Sequence, residues 1–155
     1  MDNHVQVVEI LVADDDEDDR FLMEEALEEK DFRAVYFVED EEELMDYLYH
    51  RGQYSSLSSS PRPNLILLDL NMPRKDGREA LKEIKADPQL RKIPVVVMTT
   101  SKAEEDILRT YNLGVNSYII KPTTFESMVE MMNTLGGYWF DIVQLPDRIR
   151  EDFYR

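Results

Sequence analysis

Five short apolar runs punctuate the chain, and between them apolar residues recur at helical spacing. Val5 to Ala13 is dominated by apolar, β-branched residues and stops at the acid block Asp14-Asp15-Asp16-Glu17-Asp18-Asp19. Arg33 to Val38 carries Val35, Phe37 and Val38, Ile93 to Thr99 is rich in valine, and Ser117 to Ile120 precedes Lys121-Pro122. At the centre, Asn64 leads through Leu65, Ile66, Leu67 and Leu68 into Asp69. Short apolar runs bounded by turn-forming residues read as strands. The central one lacks polar alternation, which predicts a strand buried on both faces, in a parallel sheet covered by helices.

The intervening stretches read as helices. From Asp18, the positions Phe21, Leu22, Ala26 and Leu27 fall near helical spacing, and acids in the first turn suit the helix dipole. Asp40 to Tyr49 places Leu44, Tyr47 and Leu48 at i, i+3 and i+4. Gly77 to Ala86 is a third helix, closed near Asp87-Pro88. Lys102 to Asn112 is a fourth, with Ile107, Leu108 and Tyr111 on one face, and Gly114 ends it by a left-handed cap. A fifth starts at Thr124 and presents Phe125, Met128, Val129, Met132 and Leu135. His50 to Arg62, with Gly52, serines and Pro61, reads as mobile surface padding.

Strand starts near 5, 33, 64, 94 and 117 repeat a strand-helix unit of roughly thirty residues, the size of a βαβ crossover. Right-handed crossovers place helices on both faces of a five-stranded parallel sheet. The expected fold is α/β, a flavodoxin-like doubly wound (βα)5 arrangement with strand order 2-1-3-4-5 and its switch point between strands one and three. Those two strands end in Asp14-Asp15 and in Asp69.

Composition narrows the function. A chain of 155 residues fits one domain, and 43% hydrophobic with 33% charged residues is the balance of a globular protein with a core. A net charge of -15 opposes binding to nucleic acid or an anionic membrane. Without cysteine there is no disulfide, thiolate metal site or thiol nucleophile. No apolar stretch approaches membrane-spanning length and the N-terminus lacks a secretion pattern, so a cytoplasmic protein is expected.

Asp14, Asp15, Asp69, Thr99 and Lys121 all fall at the carboxyl ends of predicted strands, where doubly wound sheets bind ligands. Three converging carboxylates repel by about 4 kcal/mol per pair at about 4 Å and an effective dielectric near 20. Lys121 supplies one compensating charge, and a hard divalent ion, Mg2+ best, supplies more. A carboxylate facing such an ion can attack phosphorus and hold an acyl phosphate. On this reading Asp69 is the nucleophile, Asp14 and Asp15 join it in holding the metal with the backbone carbonyl of Asn71, and Thr99 and Lys121 bind phosphoryl oxygens. Singly, Asp69 could cap a turn, Thr99 end a strand and Lys121 lie on the surface. Their convergence at one sheet edge favours chemistry.

Through Asp14-Asp15, Asp69 with Met72-Pro73 and Asp76-Gly77, Thr99, and Lys121-Pro122, residues 5 to about 135 resemble the receiver domain of two-component response regulators. The resemblance implies phosphorylation by a partner histidine kinase without multiple-turnover catalysis. It also implies a cis Lys121-Pro122 bond, Thr99 and Tyr118 as a switch pair, and Asn71 and Ser101 as residues that tune hydrolysis. A narrower similarity is to single-domain regulators that partner cyanobacterial phytochrome histidine kinases. It rests on Ser60-Pro61-Arg62-Pro63-Asn64, Lys75-Asp76-Gly77-Arg78-Glu79 and the tail Trp139-Phe140-Asp141-Ile142-Val143. It implies a phytochrome-type kinase and a homodimer through the last strand, C-terminal helix and tail. The receiver unit is expected over 5–139. Residues 140–155 form an apolar then charged tail with no separate output domain, bent or broken from the last helix at Gly136-Gly137 and frayed from Asp147.

Competing patterns are weaker. Asp14, Asp16, Asp18 and Glu25 imitate a calcium-binding loop, but Asp19 stands where glycine is required and a strand precedes the loop. Glu24, Glu25, Glu28 and Glu29 read as a solvated helix face. His4 and His50 have no partner pattern and lie outside the pocket. A haloacid-dehalogenase-like phosphatase also uses an aspartyl nucleophile, but needs a second Asp where Asn71 stands. A degenerate docking module is opposed by the intact acids, Thr99 and Lys121.

Overall fold

The central apolar run becomes the middle strand of the sheet. In the computed structural model, which describes residues 8–28, 33–57, 62–70 and 77–146, β3 (Leu65–Leu68) is buried at all four positions. β1 (Val8–Ala13) and β4 (Val95–Thr99) flank it. β2 (Arg33–Val38) pairs outside β1, and β5 (Ser117–Ile120) outside β4. All pairs are parallel and the order is β2-β1-β3-β4-β5, as the spacing predicts.

Alternate residues of the inner strands face opposite sides, and each side has its own layer. Leu11, Ile66, Leu68 and Val97 pack with residues of α2 (Glu41–Tyr49) and α3 (Gly77–Ala86), among them Leu44, Leu48, Leu81 and Ile84. Ile10, Val12, Leu65, Leu67 and Val96 meet Met23 of α1 (Glu17–Glu28) and Met128 and Met132 of α5 (Phe125–Gly136). The methionines are core packing, as their soft, adaptable side chains suit. α4 (Glu104–Asn112) touches β5 and buries only Thr110.

Side-chain caps set the element ends. Asp40 accepts from the Glu43 N–H at the start of α2, and Thr124 from the Ser127 N–H at the start of α5. His50, at φ 54°, closes α2 in the left-handed region, and Gly114, at φ 99°, follows α4 as expected.

Several apolar positions do not face the core. Phe21 is exposed on α1, two residues before buried Met23 and so on the opposite side of the helix. Leu108 and Tyr111 are exposed because α4 borders only the edge of the sheet. Phe125 is exposed in the first turn of α5, ahead of Met128. Glu24 and Glu25 are solvated as expected. The stretch after α2 is not padding: Gly52–Leu57 forms a 3-10 turn. Its Tyr54 hydroxyl donates to Glu43 at 2.9 Å, and its ring meets Tyr47 edge-on at 5.0 Å.

The chain does not break after α5. Gly136 and Gly137 both keep right-handed helical angles, and the helix widens into a π turn over Gly137–Ile142. There the Val143 N–H reaches the Tyr138 carbonyl at 3.0 Å. Trp139, Phe140 and Leu145 are buried in the α1–α5 layer, whereas Tyr138 and Ile142 are exposed. The tail thus folds back on its own domain as far as Leu145. The fraying expected from Asp147 onward, and His4, lie outside the described residues. Among the described residues no helix is long and apolar enough to cross a membrane.

Leu145→Ala is expected to cost about 2–5 kcal/mol in urea unfolding, the range for emptying a core leucine site. Phe21→Ala, at an exposed position of α1, is expected to stay within about 0.5 kcal/mol of the parent.

Candidate functional site

Backbone pairing delivers the site before any side chain is considered. The β1–β3 register pairs Ala13 with Leu68, and the ladder runs one step further. The Asp69 N–H donates to the Ala13 carbonyl at 2.9 Å and the Asp14 N–H to the Val38 carbonyl at 3.0 Å. Asp14 and Asp69 therefore leave the sheet side by side. On the other side the Lys121 N–H donates to the Thr99 carbonyl at 2.8 Å, fixing the end of β5 against that of β4.

The side chains converge as the sequence predicts. Asp14 and Asp69 are buried and Asp15 is exposed, and the three offer carboxylate oxygens within 4.8 Å of one another. The Lys121 ammonium lies 2.9 Å from Asp14 Oδ2, 3.0 Å from Asp69 Oδ2 and 2.8 Å from Asp19 Oδ2. An ammonium has three donors, and these three acids occupy its geometry. The Lys121-Pro122 bond is trans, not cis. Trans remains the favoured isomer even before proline, by about 0.5–1 kcal/mol, and the lysine reaches its acids from it.

Asp19 is the residue that sequence reasoning missed. It sits in the first turn of α1, and the excess of acids over Lys121 was the signal available. The acid block divides by task. Asp14 and Asp15 face the site, and Asp16 caps α1 by accepting from the Asp18 and Asp19 N–H groups at 2.9 and 3.1 Å. Asp19 turns back to Lys121. Arg20 donates to the Asp14 carbonyl at 2.8 Å and lies 3.5 Å from Glu39, tying the helix to the ends of β1 and β2.

Electrostatics follow from this crowding. Burial pushes the Asp14 carboxyl up to about 6. The hydrogen bond that Asp14 accepts from the Asp16 N–H and the contact with Lys121 oppose the rise, while the charge of Asp69 adds to it. Burial alone would lower the Lys121 amine. Its bonds to Asp19 and Asp14 and the charges of Asp14 and Asp69 outweigh that, so it titrates above the usual lysine range. Four acids, Asp14, Asp15, Asp19 and Asp69, thus gather around one directly contacting ammonium. This all-oxygen, over-negative donor set fits a hard divalent cation.

Thr99 is fully buried at the end of β4. Tyr118, half-buried in β5, packs against the α2–α3 layer and donates from its hydroxyl to the Ser101 carbonyl at 2.9 Å. Ser101 turns its own hydroxyl to Asp106 at 2.7 Å. Gly77 is close to the backbone at Asp69: a Cβ there would lie 2.9 Å from both the Asp69 carbonyl oxygen and the Leu70 Cα. Only glycine lets α3 begin so near without displacing the Asp69 backbone. Asn71, Met72, Pro73 and Asp76 lie outside the described residues, so the expected Asn71 carbonyl ligand is not placed. His50 belongs to the α2 cap and not to this cluster.

Comparison with known proteins agrees with this geometry. Residues 10–133 match the family model described as the response regulator receiver domain. The chain is 41% identical over 138 residues to the response regulator Rcp1 of Synechocystis, covering 88% of this chain and 92% of that protein. The crystal structure of Mn(2+)-bound Rcp1 superposes with a TM-score of 0.83 at 41% identity, over 90% of this chain and 99% of that one. The phosphorylated cyanobacterial phytochrome response regulator RcpA gives 0.85 at 41% identity, over 90% and 98%.

Asp14→Asn is expected to stabilise the protein in the absence of divalent cations. Between pH 4 and 6 the folded protein retains a proton on Asp14 that the unfolded chain releases. Asp14 therefore stabilises less as pH rises through that window, and above it the ionised group costs about 3 kcal/mol. Thermal melts with chelator should show the substituted protein more stable at pH 7, with a flatter pH dependence from 4 to 6. Equal stability at pH 7 would contradict this assignment.

Proposed function

Because the chain belongs to the response regulator receiver domain family, we propose that Asp69 is its phosphoacceptor, charged by a partner histidine kinase in the cytoplasm. The observation that carries the reading is the bond from Lys121 Nζ to Asp69 Oδ2, inside a cluster with Asp14 and Asp15. In the transfer, a carboxylate oxygen of Asp69 attacks the phosphorus of a phosphohistidine. The P–O bond forms as the P–N bond breaks, and the leaving imidazole takes up a proton. Lys121 sits where it can hold a phosphoryl oxygen, and buried Thr99 stands at the adjacent strand end to take another. Asp14, Asp15 and Asp69, with the backbone carbonyl of Asn71, would hold Mg2+. When bound, the ion supplies neutralising charge to phosphoryl oxygens and to the acids themselves. The protein acts as a switch and not as a multiple-turnover enzyme, with residues 5–139 as the receiver unit and 140–155 as its tail.

The kinase is of phytochrome type on this reading, supported by the likeness to RcpA. Phosphorylation shifts Thr99 and Tyr118 and thereby the β4–α4 loop and the β5 surface, while Asn71 and Ser101 set the rate of hydrolysis. A second copy of the chain is the partner that the β5 side suits. β5 is an edge strand, and exposed Ile120, Tyr138 and Ile142 accompany a groove of about 460 Å³ lined by Ile119, Met131, Leu135 and Trp139.

Acetyl phosphate with Mg2+ is expected to label the protein, and Asp69→Ala to abolish the hydroxylamine-labile label. Undiminished labelling of that variant would refute the assignment. For the assembly, sedimentation is expected to show a dimer that Ile142→Glu dissociates. A monomer at high concentration, with and without beryllofluoride, would exclude it.

A further inference from the structure

We propose that Asp106, held by Arg78, is a positioning residue that fixes Ser101 and, through it, the hydroxyl anchor of Tyr118. Four contacts form one chain across the rim of the site. Gly77, at the start of α3, is pressed against the Asp69 and Leu70 backbone, and its N–H donates to the Leu70 carbonyl at 3.3 Å. The next residue, Arg78, reaches across to α4, where its guanidinium lies 3.2 Å from Asp106 Oδ1. The other oxygen of the same carboxylate accepts the Ser101 hydroxyl at 2.7 Å. The Ser101 carbonyl then accepts the Tyr118 hydroxyl at 2.9 Å.

The two oxygens of Asp106 thus join α3 to the β4–α4 loop, and that loop supplies the partner of a tyrosine on β5. None of these four contacts involves Thr99. Arg78 and Asp106 are both partly shielded, each with about a quarter or less of its side chain exposed. An ion pair so placed is screened less than a fully exposed one. α4 needs such a tie because its first helical residue follows Ala103, which offers no side-chain cap, and because the helix buries only Thr110. A second link works in the same sense: the Tyr118 N–H donates to the Tyr111 hydroxyl of α4 at 3.2 Å. A displacement at Leu70 or Gly77 is therefore passed to Tyr118 through Arg78 and Asp106. The inference rests on the receiver reading for its meaning, since it concerns how that site communicates with β5.

The test uses full-length, unphosphorylated protein carrying 3-fluorotyrosine, with the Tyr118 fluorine resonance assigned through Tyr118→Phe. Asp106→Ala is expected to move that resonance to the position of solvent-exposed fluorotyrosine. Ser101→Ala is expected to move it in the same direction, with the double substitution adding nothing further. Asp106→Asn, which keeps an acceptor for Ser101, is expected to recover part of the wild-type position. If Asp106→Ala lowers the melting temperature yet leaves the Tyr118 resonance in place, Asp106 merely steadies the start of α4 and the proposal is overturned. Additive shifts from the two single substitutions also overturn it. The readout needs no phosphate, so it is decided separately from the labelling of Asp69.

Discussion

One ammonium group holds the functional edge of the molecule together. Lys121 extends from the end of β5 and touches acids from β1, α1 and the end of β3. Those acids would otherwise repel across a poorly solvated space. The arrangement leaves negative charge in excess, and the Asp14 carboxyl, raised chiefly by its burial, carries a smaller upward push from Asp69. A site in that condition fits a divalent cation.

The rest of the fold keeps this edge in register. β3 is apolar at every position and covered on both faces, so it cannot slide or turn without exposing hydrocarbon. Its end, and with it Asp69, is a fixed point. α4, by contrast, is attached to the edge of the sheet with little buried surface, and polar bonds from Asp106 and Tyr111 hold it there. Rigid strands at one end and a lightly packed helix at the other divide the molecule into a part that positions chemistry and a part that can respond.

Much of this was legible in the amino-acid order. Strand spacing gave the topology, because a run such as Leu65 to Leu68 has one stable environment. Strand ends located Asp14, Asp69, Thr99 and Lys121 because parallel pairing carries them to one edge. What periodicity missed has physical causes. Phe21, Leu108 and Phe125 keep helical spacing yet lie on helix surfaces with no layer opposite them. Asp19 was hidden in an acid block whose members divide between the end of β1, the cap of α1 and its first turn. Tyr54 and Leu145 find their partners only once distant segments are folded. The Arg78–Asp106 pair joins α3 to α4 and has no local signature.

The most direct measurement is chemical trapping of the phosphorylated site. Protein charged with a small-molecule phosphodonor and Mg2+ would be reduced with borohydride, which converts an aspartyl phosphate to homoserine, and then mapped by peptide mass spectrometry. Homoserine at position 69 and nowhere else is the predicted result. Homoserine at position 14 or 15, or a charged protein that yields none, would contradict Asp69 as the phosphoacceptor.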